Sequence, residues 1–562
     1  MWLGRLLCVV AVCAYAQAFL EDSRVVRTAQ GSVRGYRAPE GDLFVFYGIP
    51  YATAPTGKDR FKAPLPGPIW MTTLDAVDKG IICPQADPWK MMAGLNKTMQ
   101  EDCLLANVYV PDTEETNLPV VVMVHGGAYQ IGFGDMGTPK NIVRSKKVIV
   151  VNFNYRLGAH GFLCLGTPDV PGNAGMKDQV AALRWVNKNI AKFGGNPNEV
   201  TISGYSAGSS AVDLLMLSKT TKGLYHRVIP ESGANVAMWS VQVDPVDNAV
   251  MFAKSLIFDN VSDIYALEEF YKTLSYEKLM SDAHLVRKDN DFLFSPCVER
   301  NTGVEMFLDD NPVNILKKGK YNKVPMLYGF ANMEGLFRVQ FGFDQFVVGM
   351  NEKFSDFLPR DLQFESEAEK EKVAKEIKEF YFGDKNIGPE TILGYIDLFT
   401  DVMFAYPTLR AVQLHLEAGH DKIYLYEFAF APEVLPMPKG VTVKVDGANH
   451  CAQTSTVLDG GGMIMHNKDE SQLSEDVLKM KALTRELWLN FMTTGNPTPP
   501  GSKLPSWSPV GAGRSPHMLL DLSPRMRGEL LPERARFWDD IYSRYYRAPA
   551  PPPTPPPRHS EL

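Results

Sequence analysis

A serine between two glycines, in the sequence Gly-Tyr-Ser-Ala-Gly at residues 204–208, is the strongest chemical signal in this chain. An apolar β-branched run, residues 200–202, precedes it, and a largely apolar run, residues 209–217, follows it. A buried strand, a G-x-S-x-G turn and a buried helix together form a nucleophile elbow, because the glycines let the backbone turn sharply beneath the serine. This context predicts that Ser206 is a nucleophile that attacks a substrate carbonyl.

A glycine pair, Gly126 and Gly127, follows His125 at the end of a strand-like run, residues 119–124. A loop of this kind leaves backbone N–H groups free to point at a developing oxyanion, and Ala207, directly after the nucleophile, supplies a further N–H group. These three residues are therefore predicted to form an oxyanion hole. Each donor of this kind stabilises the transition state by about 2.7–4 kcal/mol.

Strand-like and helical runs alternate along the chain. Continuous apolar β runs at residues 119–124 and 147–152 are typical of parallel strands that are covered on both faces. Apolar residues then recur at helical spacing over residues 175–195, so a strand, a crossover helix and a strand predict a right-handed βαβ unit. Later candidates are strands at residues 324–329 and 423–428 and an amphipathic helix at residues 473–490. The pattern predicts one large α/β domain over residues 19–547.

The composition is that of an ordinary globular protein, with 562 residues of which 45% are hydrophobic and 22% charged. The net charge is −7 and no basic stripe occurs, which argues against a nucleic-acid partner. Arg5 precedes an apolar stretch and small residues suited to cleavage, so residues 1–16 are predicted to be a secretory signal peptide, with cleavage after residue 18 as the alternative. Charge returns at Glu21, which leaves the apolar stretch too short for a membrane anchor.

Five cysteines follow the signal peptide, and an oxidising compartment favours their pairing. Cys83 and Cys103 enclose a short loop and are predicted to form the sole disulfide. The states of the other cysteines stay open. These are Cys164, Cys297 and Cys451. Asn96 and Asn260 begin N-x-S/T sequences and are predicted glycosylation sites.

The last fifteen residues, 548–562, are rich in proline and are predicted to form a disordered, extended tail that displays the C-terminus. The chain ends in His-Ser-Glu-Leu, which differs from the H-D-E-L retention signal only at Ser560. Two interpretations stay open. Either a retention receptor binds this tail and holds the protein in the endoplasmic reticulum lumen, or the protein is secreted and the terminus has no such role.

The chain resembles the type-B carboxylesterases of the cholinesterase superfamily and is similar to insect members of it. The resemblance runs from about Val25 to Trp538. Its motifs are residues 48–51 (GIPY), 60–64 (RFKAP), 101–104 (EDCL), 124–127 (VHGG), 154–158 (NYRLG), 178–179 (DQ), 204–208 (GYSAG) and 491–497 (FMTTGNP). The resemblance implies an α/β-hydrolase fold, in which a large, twisted, mostly parallel sheet carries helices on both faces and a deep gorge lies over the serine.

A serine nucleophile needs an acid that orients its base, and the acid follows the serine in hydrolases built on this elbow. In the resembled family the acid is a glutamate in a G-x-x-x-x-E-G stretch after a strand. Residues 329–335 match this stretch, which makes Glu334 the predicted acid. Asp356 is a rival by composition, but it does not follow a strand at that spacing.

The family's base is a histidine in a G-x-x-H stretch beyond the next strand. Residues 447–450 match, so His450 is the predicted base. His420 and His466 lack this context. The resemblance also extends to two buried ion pairs and to a hydroxyl near the base. These are Arg60 with Glu101, Arg156 with Asp178, and Ser232.

Two residues depart from the family pattern. Tyr205 stands where cholinesterases carry glutamate, which speaks against a quaternary ammonium substrate, and where juvenile hormone esterases usually carry glutamine. Cys451 follows the base where the family often has Gly-Asp-Glu, so the gorge wall beside the base is altered. Whether its thiol is packed or reactive stays open.

The resemblance implies a serine carboxylic-ester hydrolase that forms an acyl-enzyme on Ser206 and needs no metal or organic cofactor. The expected small-molecule substrate is an uncharged apolar ester, such as a fatty-acyl ester, an odorant acetate or a xenobiotic ester. Juvenile hormone esterase is one alternative. The alternative from another class is an adhesion or binding protein that has lost catalysis on the same scaffold, but such proteins usually lack a triad member and carry a transmembrane segment.

Overall fold

The computed structural model describes residues 22–39, 41–86, 95–280, 292–340, 342–431, 435–459 and 470–557. The predicted signal peptide, the alternative histidine His466 and the terminal tetrapeptide, residues 559–562, lie outside these ranges. The described residues form one α/β structure around a single large sheet.

Thirteen strands of the described residues make up this sheet. They are β1 Ser23–Arg27, β2 Ser32–Arg37, β3 Leu43–Pro50, β4 Leu74–Asp75, β5 Leu105–Pro111, β6 Leu118–Val124, β7 Ile149–Phe153, β8 Gly195–Tyr205, β9 Arg227–Glu231, β10 Met326–Ala331, β11 Ile423–Phe428, β12 His517–Leu520 and β13 Arg525–Arg527. Two short ribbons lie outside it, Ala52–Thr53 with Leu65–Pro66 and Ile81–Ile82 with Thr98–Met99.

The strand order across the sheet is β1-β2-β3-β5-β7-β6-β8-β9-β10-β11-β12-β13, with β4 beside β2. The seven strands from β7 to β12 in this order run parallel to their neighbours. Antiparallel strands complete the sheet at both ends. The mostly parallel sheet predicted from the apolar runs is therefore confirmed.

Sixteen α-helices are present in the described part of the chain. They are α1 Lys140–Val143, α2 Gly158–Phe162, α3 Ala174–Asn189, α4 Ala207–Leu217, α5 Pro245–Ser255, α6 Ile264–Thr273, α7 Tyr276–Leu279, α8 Pro312–Lys318, α9 Leu336–Gln340, α10 Phe343–Glu352, α11 Glu367–Phe382, α12 Ile392–Thr400, α13 Tyr406–Glu417, α14 Ala452–Val457, α15 Glu475–Thr494 and α16 Pro532–Tyr545. A π-helical turn, Asp401–Ala405, joins α12 to α13. Among the described helices, none has the length and apolar character needed to cross a membrane.

The core lies on both faces of the central strands, which explains why those strands read as unbroken apolar runs. On β6, Val120 and Val122 pack in one hydrophobic cluster and Val121 packs in the other. All three side chains are fully buried. Burying a valine side chain stabilises the fold by about 1.5–3 kcal/mol, so a polar residue at any of these positions is strongly disfavoured.

The structure contains two disulfides, so the prediction of a sole disulfide is wrong. Cys83 and Cys103 are bonded, with an S–S distance of 1.98 Å. A second bond joins Cys164, just after α2, to Cys297, which lies 133 residues further along the chain. This pairing has no local sequence signal, because only the folded chain brings the two segments together. Cys451 is buried and unbonded.

The prediction of a free, disordered tail is wrong for residues 548–557, which lie against the folded body. Pro552 is buried, and its ring packs on Gly166, where an added Cβ would lie 2.8 Å from the Pro552 Cβ. The Tyr265 hydroxyl donates a hydrogen bond to the Pro556 carbonyl oxygen at 2.8 Å. Proline rings offer apolar surface and bring no N–H group that needs a partner, so this segment packs without secondary structure.

Candidate active site

Ser206 lies in a sharp turn between β8 and α4. Its backbone has φ 57° and ψ −124°, a conformation that side chains rarely adopt and that tight packing enforces here. A Cβ added at Gly204 would lie 2.2 Å from the Gly208 carbonyl oxygen, and one at Gly208 would lie 2.2 Å from the Val124 carbonyl oxygen. Both glycines of the elbow are therefore required by the close approach of neighbouring backbone.

The fold brings Ser206, His450 and Glu334 together, although the serine and the histidine are 244 residues apart. Ser206, Glu334 and His450 follow the parallel strands β8, β10 and β11, respectively, beyond their carboxyl ends, and only β9 lies between β8 and β10. His450 Nε2 lies 2.9 Å from Ser206 Oγ, and His450 Nδ1 contacts Glu334 Oε2. This is the edge of an open α/β sheet at which ligands usually bind.

The contacts of Glu334 decide which ring nitrogen of His450 carries the proton. Glu334 is fully buried, and the Ala331 N–H group donates to its Oε1 at 2.8 Å. Its other oxygen therefore accepts from His450 Nδ1–H, which leaves the Nε2 lone pair to accept from the Ser206 hydroxyl. The arrangement can remove a proton from the serine and hold the resulting imidazolium beside a carboxylate.

The backbone of Gly126 lies beside the serine, and Gly127 follows it in the same loop. A Cβ added at Gly126 would lie 3.0 Å from the Ser206 Cβ, and Gly127 has φ +110°, which favours glycine. Ala207 is the first residue of α4, where the N–H group has no intrahelical acceptor and the helix dipole favours negative charge. Next to this loop, burial lowers the pKa of His125 to about 4, so its ring is neutral where it stacks on Tyr155.

Aromatic side chains that the sequence did not predict surround the base. The ring centroid of Phe404 lies 4.3 Å from that of His450, and the ring centroid of Phe337 lies 5.4 Å from it. Trp239 packs in turn on Phe404, with a centroid distance of 6.0 Å. Only the position of Phe337, three residues after Glu334, offered a signal in the sequence. The wall is apolar and suits an uncharged substrate group.

The thiol of Cys451 lies beside His450, the predicted general base. Its Sγ is 3.5 Å from His450 Nε2, and the side chain is 1% exposed. Burial raises the pKa of this thiol well above its usual value, so the group is neutral. Tyr205 is also buried, and the ring of this residue packs against Gly126. Both departures from the family pattern thus lie within the site.

A buried polar network that the sequence did not predict also lies beside the site. Glu231, the last residue of β9, accepts hydrogen bonds from Trp488 Nε1 at 2.7 Å and from the Thr454 hydroxyl. The next residue, Ser232, accepts from Gln453 Nε2 at 2.6 Å. The position of Glu231 next to Ser232, which the resemblance singled out, was the available signal.

The remaining candidate residues lie away from Ser206 or make structural contacts. His420 is buried, and its Nε2 lies 2.8 Å from the Val324 carbonyl oxygen. It does not contact the serine. Asp356 lies in the turn after α10, near Lys353. The two resembled ion pairs are present: Arg60 Nε is 3.0 Å from Glu101 Oε1, and Arg156 Nη2 is 2.6 Å from Asp178 Oδ1. Asn96 and Asn260 are exposed.

Nothing in the described ranges gathers three or more His, Cys, Asp or Glu side chains in a group that could hold a metal ion. The donor set at the serine is a hydroxyl, an imidazole, a carboxylate and backbone N–H groups. This set suits acid–base and nucleophilic chemistry.

The chain is similar to known proteins over most of its length. A family model described as the carboxylesterase family matches residues 22–538. The chain is 33% identical to juvenile hormone esterase of Heliothis virescens, over 85% of this chain and 86% of that protein. It is 31% identical to esterase FE4 of Myzus persicae, over 83% of each. The crystal structure of juvenile hormone esterase from Manduca sexta with OTFP covalently attached matches with a TM-score of 0.81 and 30% identity, over 93% of this chain and 100% of that one.

Proposed function

This chain belongs to the carboxylesterase family and is a carboxylic-ester hydrolase, and from that premise we propose that Ser206, His450 and Glu334 are its catalytic triad. The observation that carries the proposal is the 2.9 Å approach of His450 Nε2 to Ser206 Oγ, with the opposite ring nitrogen on Glu334. An adhesion protein on this scaffold would not need these three groups in contact.

Ser206 Oγ attacks the ester carbonyl carbon while His450 Nε2 takes its proton. Glu334 accepts a hydrogen bond from Nδ1–H throughout and stabilises the imidazolium. The tetrahedral oxyanion is bound by the N–H groups of Gly126, Gly127 and Ala207. His450 then protonates the leaving alcohol, and a water molecule, activated by the same nitrogen, hydrolyses the acyl-enzyme.

The proposed substrates are uncharged apolar esters, such as fatty-acyl esters, odorant acetates or xenobiotic esters. The aromatic wall of Phe337, Phe404 and Trp239 supports an apolar substrate, as does the tyrosine at position 205. Two of the compared proteins are named juvenile hormone esterase, and FE4 is named only esterase at nearly the same identity. Hydrolysis of juvenile hormone therefore stands as the second candidate activity.

Ser206→Ala should abolish ester turnover and covalent labelling by a fluorophosphonate. His450→Ala should cost about as much, because triad members act as a unit. Glu334→Gln should cost less, since nucleophile and base remain. Labelling that persists at full stoichiometry in the serine variant would place the nucleophile elsewhere. Asp356→Asn and His420→Gln are matched controls that should retain activity.

A panel of esters that varies acyl and alcohol length independently, with juvenile hormone included, separates the substrate candidates. We expect the highest kcat/KM for an uncharged apolar ester and none for a choline ester. A kcat/KM for juvenile hormone far above that of all other esters would make it the substrate.

We also propose that the mature chain begins after residue 16 or 18 and enters the secretory pathway. Two disulfides support this, because disulfides persist in oxidising compartments. The finer alternatives are secretion and retention in the endoplasmic reticulum by a receptor for the C-terminal tetrapeptide. Deleting residues 559–562 and comparing cell and medium fractions decides between them. A sharp rise in secretion would support retention, and full-length protein already in the medium would refute it.

A further inference from the structure

The end of strand β9 contacts both sides of the proposed triad. The Ser206 N–H group donates to the Glu231 carbonyl oxygen at 2.9 Å, so the backbone of Glu231 supports the nucleophile elbow. The carboxylate of the same residue accepts from Thr454 on α14, the helix that begins two residues after His450. The neighbouring Ser232–Gln453 hydrogen bond joins the same two segments. The segment that carries the base and the turn that carries the nucleophile are therefore joined through residues 231–232.

We propose that Glu231 is a positioning residue of the reaction proposed above: it joins the elbow of Ser206 to the helix behind His450 and places a second negative charge beside the triad. The inference rests on that proposed function. Glu231 acts through Ser206 and His450 and does not itself contact the substrate.

No cation compensates the Glu231 carboxylate within the described residues. It is 2% exposed, and the groups that face it are Trp488 on α15 and Thr454 on α14. The titratable groups close enough to interact with it are Tyr426 on β11, Tyr205 and Cys451, none of which carries positive charge. The imidazolium formed on His450 during catalysis is then a positive charge that this carboxylate can stabilise.

The hydrogen bonds allow the carboxyl group to exist in both protonation states. Trp488 Nε1–H can only donate, whereas the Thr454 hydroxyl can donate to a carboxylate or accept from a carboxylic acid. Burial raises the pKa of Glu231 to about 7, and the two hydrogen bonds oppose this rise. The charge beside the triad is therefore present above neutral pH and is lost as the pH falls through about 7.

Glu231→Gln tests the role of the charge, because glutamine keeps one acceptor for Trp488 and gains a donor for Thr454. Asp361→Asn is the matched control: Asp361 is also 2% exposed, its pKa is raised by burial to about 6, and its partner is the Tyr542 hydroxyl on α16. At pH 9, kcat should fall about tenfold in Glu231→Gln with little change in KM, the effect of one charge across several ångströms of protein. The ratio of wild-type to variant kcat should decline towards one as the pH falls below about 6, where the wild-type carboxyl is neutral.

Thr454→Val gives an independent measurement. This substitution removes a donor that favours the charged carboxylate, so the pKa of Glu231 should rise. The inflection in the pH profile of kcat should then lie at a higher pH in the variant than in the wild type. A kcat ratio for Glu231→Gln that is the same at every pH would overturn the proposal, as would an equal loss in Asp361→Asn. Glu231→Gln should still be labelled by a fluorophosphonate at full stoichiometry. Failure of the wild-type protein to label at Ser206 would instead refute the proposed triad.

Discussion

At the scale of single residues, the site depends on backbone that approaches closely enough to exclude side chains. Ser206 takes a strained conformation because Gly126, Gly204 and Gly208 allow three backbone segments to meet around it. The strain is held by packing, and it points the hydroxyl at His450 rather than into the sheet. Even a small substitution at one of these glycines should therefore affect catalysis.

Gly126→Ala tests this at the proposed oxyanion hole. The added Cβ would lie 2.6 Å from the Tyr205 carbonyl oxygen, so the loop must shift and the amide must move away from the oxyanion. We expect kcat to fall by about 10²–10³, the cost of losing one donor. Gly528→Ala, where nothing lies within 4 Å of the added Cβ, should leave steady-state kinetics unchanged. Full activity in Gly126→Ala would exclude this amide from the oxyanion hole.

At the scale of elements, helix α14 is short but held at both ends. Glu231 and Ser232 bind its first turns through Thr454 and Gln453. At its C-terminus, Lys481 Nζ donates to the Ser455 carbonyl oxygen at 2.7 Å and to the Leu458 carbonyl oxygen at 2.8 Å. Six residues cannot form a stable helix alone, so these contacts from α15 and β9 fix the segment that follows the base.

Lys481→Met should lower the free energy of unfolding by about 1–3 kcal/mol, because carbonyl oxygens at the end of α14 lose a buried donor. Denaturant unfolding monitored by tryptophan fluorescence measures the change. Lys479→Met is the control on the same helix: Lys479 is exposed and pairs only with Glu475 and Asp476 among the described residues, so its loss should cost about 0.5 kcal/mol or less. Equal losses in the two variants would show that the capping contact is unimportant.

At the scale of the whole molecule, the C-terminal segment after α16 returns to the body of the protein. Arg547 Nη1 lies 2.9 Å from Asp244 Oδ2, and its N–H group donates to the Asp361 carbonyl oxygen at 2.7 Å. Pro552 then packs on Gly166, which follows Cys164 of the second disulfide by two residues. The proline-rich segment therefore connects α16 to the disulfide-linked loop after α2.

Gly166→Ala should release this segment while the catalytic domain stays folded. The added Cβ would lie 2.8 Å from the Pro552 Cβ, and the residue has φ +68°. We expect faster hydrogen exchange and faster proteolytic removal of residues 548–557, with ester turnover unchanged. Gly303→Ala carries a similar backbone strain at φ +88° but has no neighbour within 4 Å, so it should leave the tail protected. Equal exposure of the tail in both variants would show that backbone strain, and not loss of the contact between Gly166 and Pro552, is responsible.

Sequence alone determined the features that are written into short stretches of chain. The strand–turn–helix around Ser206 is local, and so are the apolar runs that became the central strands β6, β7 and β8. The stretches around Glu334 and His450 were identified through the resemblance to a known family, whose motifs place a glycine at a fixed spacing from the titratable residue. Periodicity and turn chemistry act over a few residues, and this is why such patterns can be read without a structure.

Only the tertiary structure decided which distant segments meet. Cys297 pairs with a cysteine 133 residues away, and Glu231 binds partners 223 and 257 residues further along the chain. The aromatic wall around His450 and the packing of Pro552 on Gly166 also bring together segments that are distant in sequence. Such contacts depend on the summed geometry of many turns and packed layers, which no local spacing of residue types encodes.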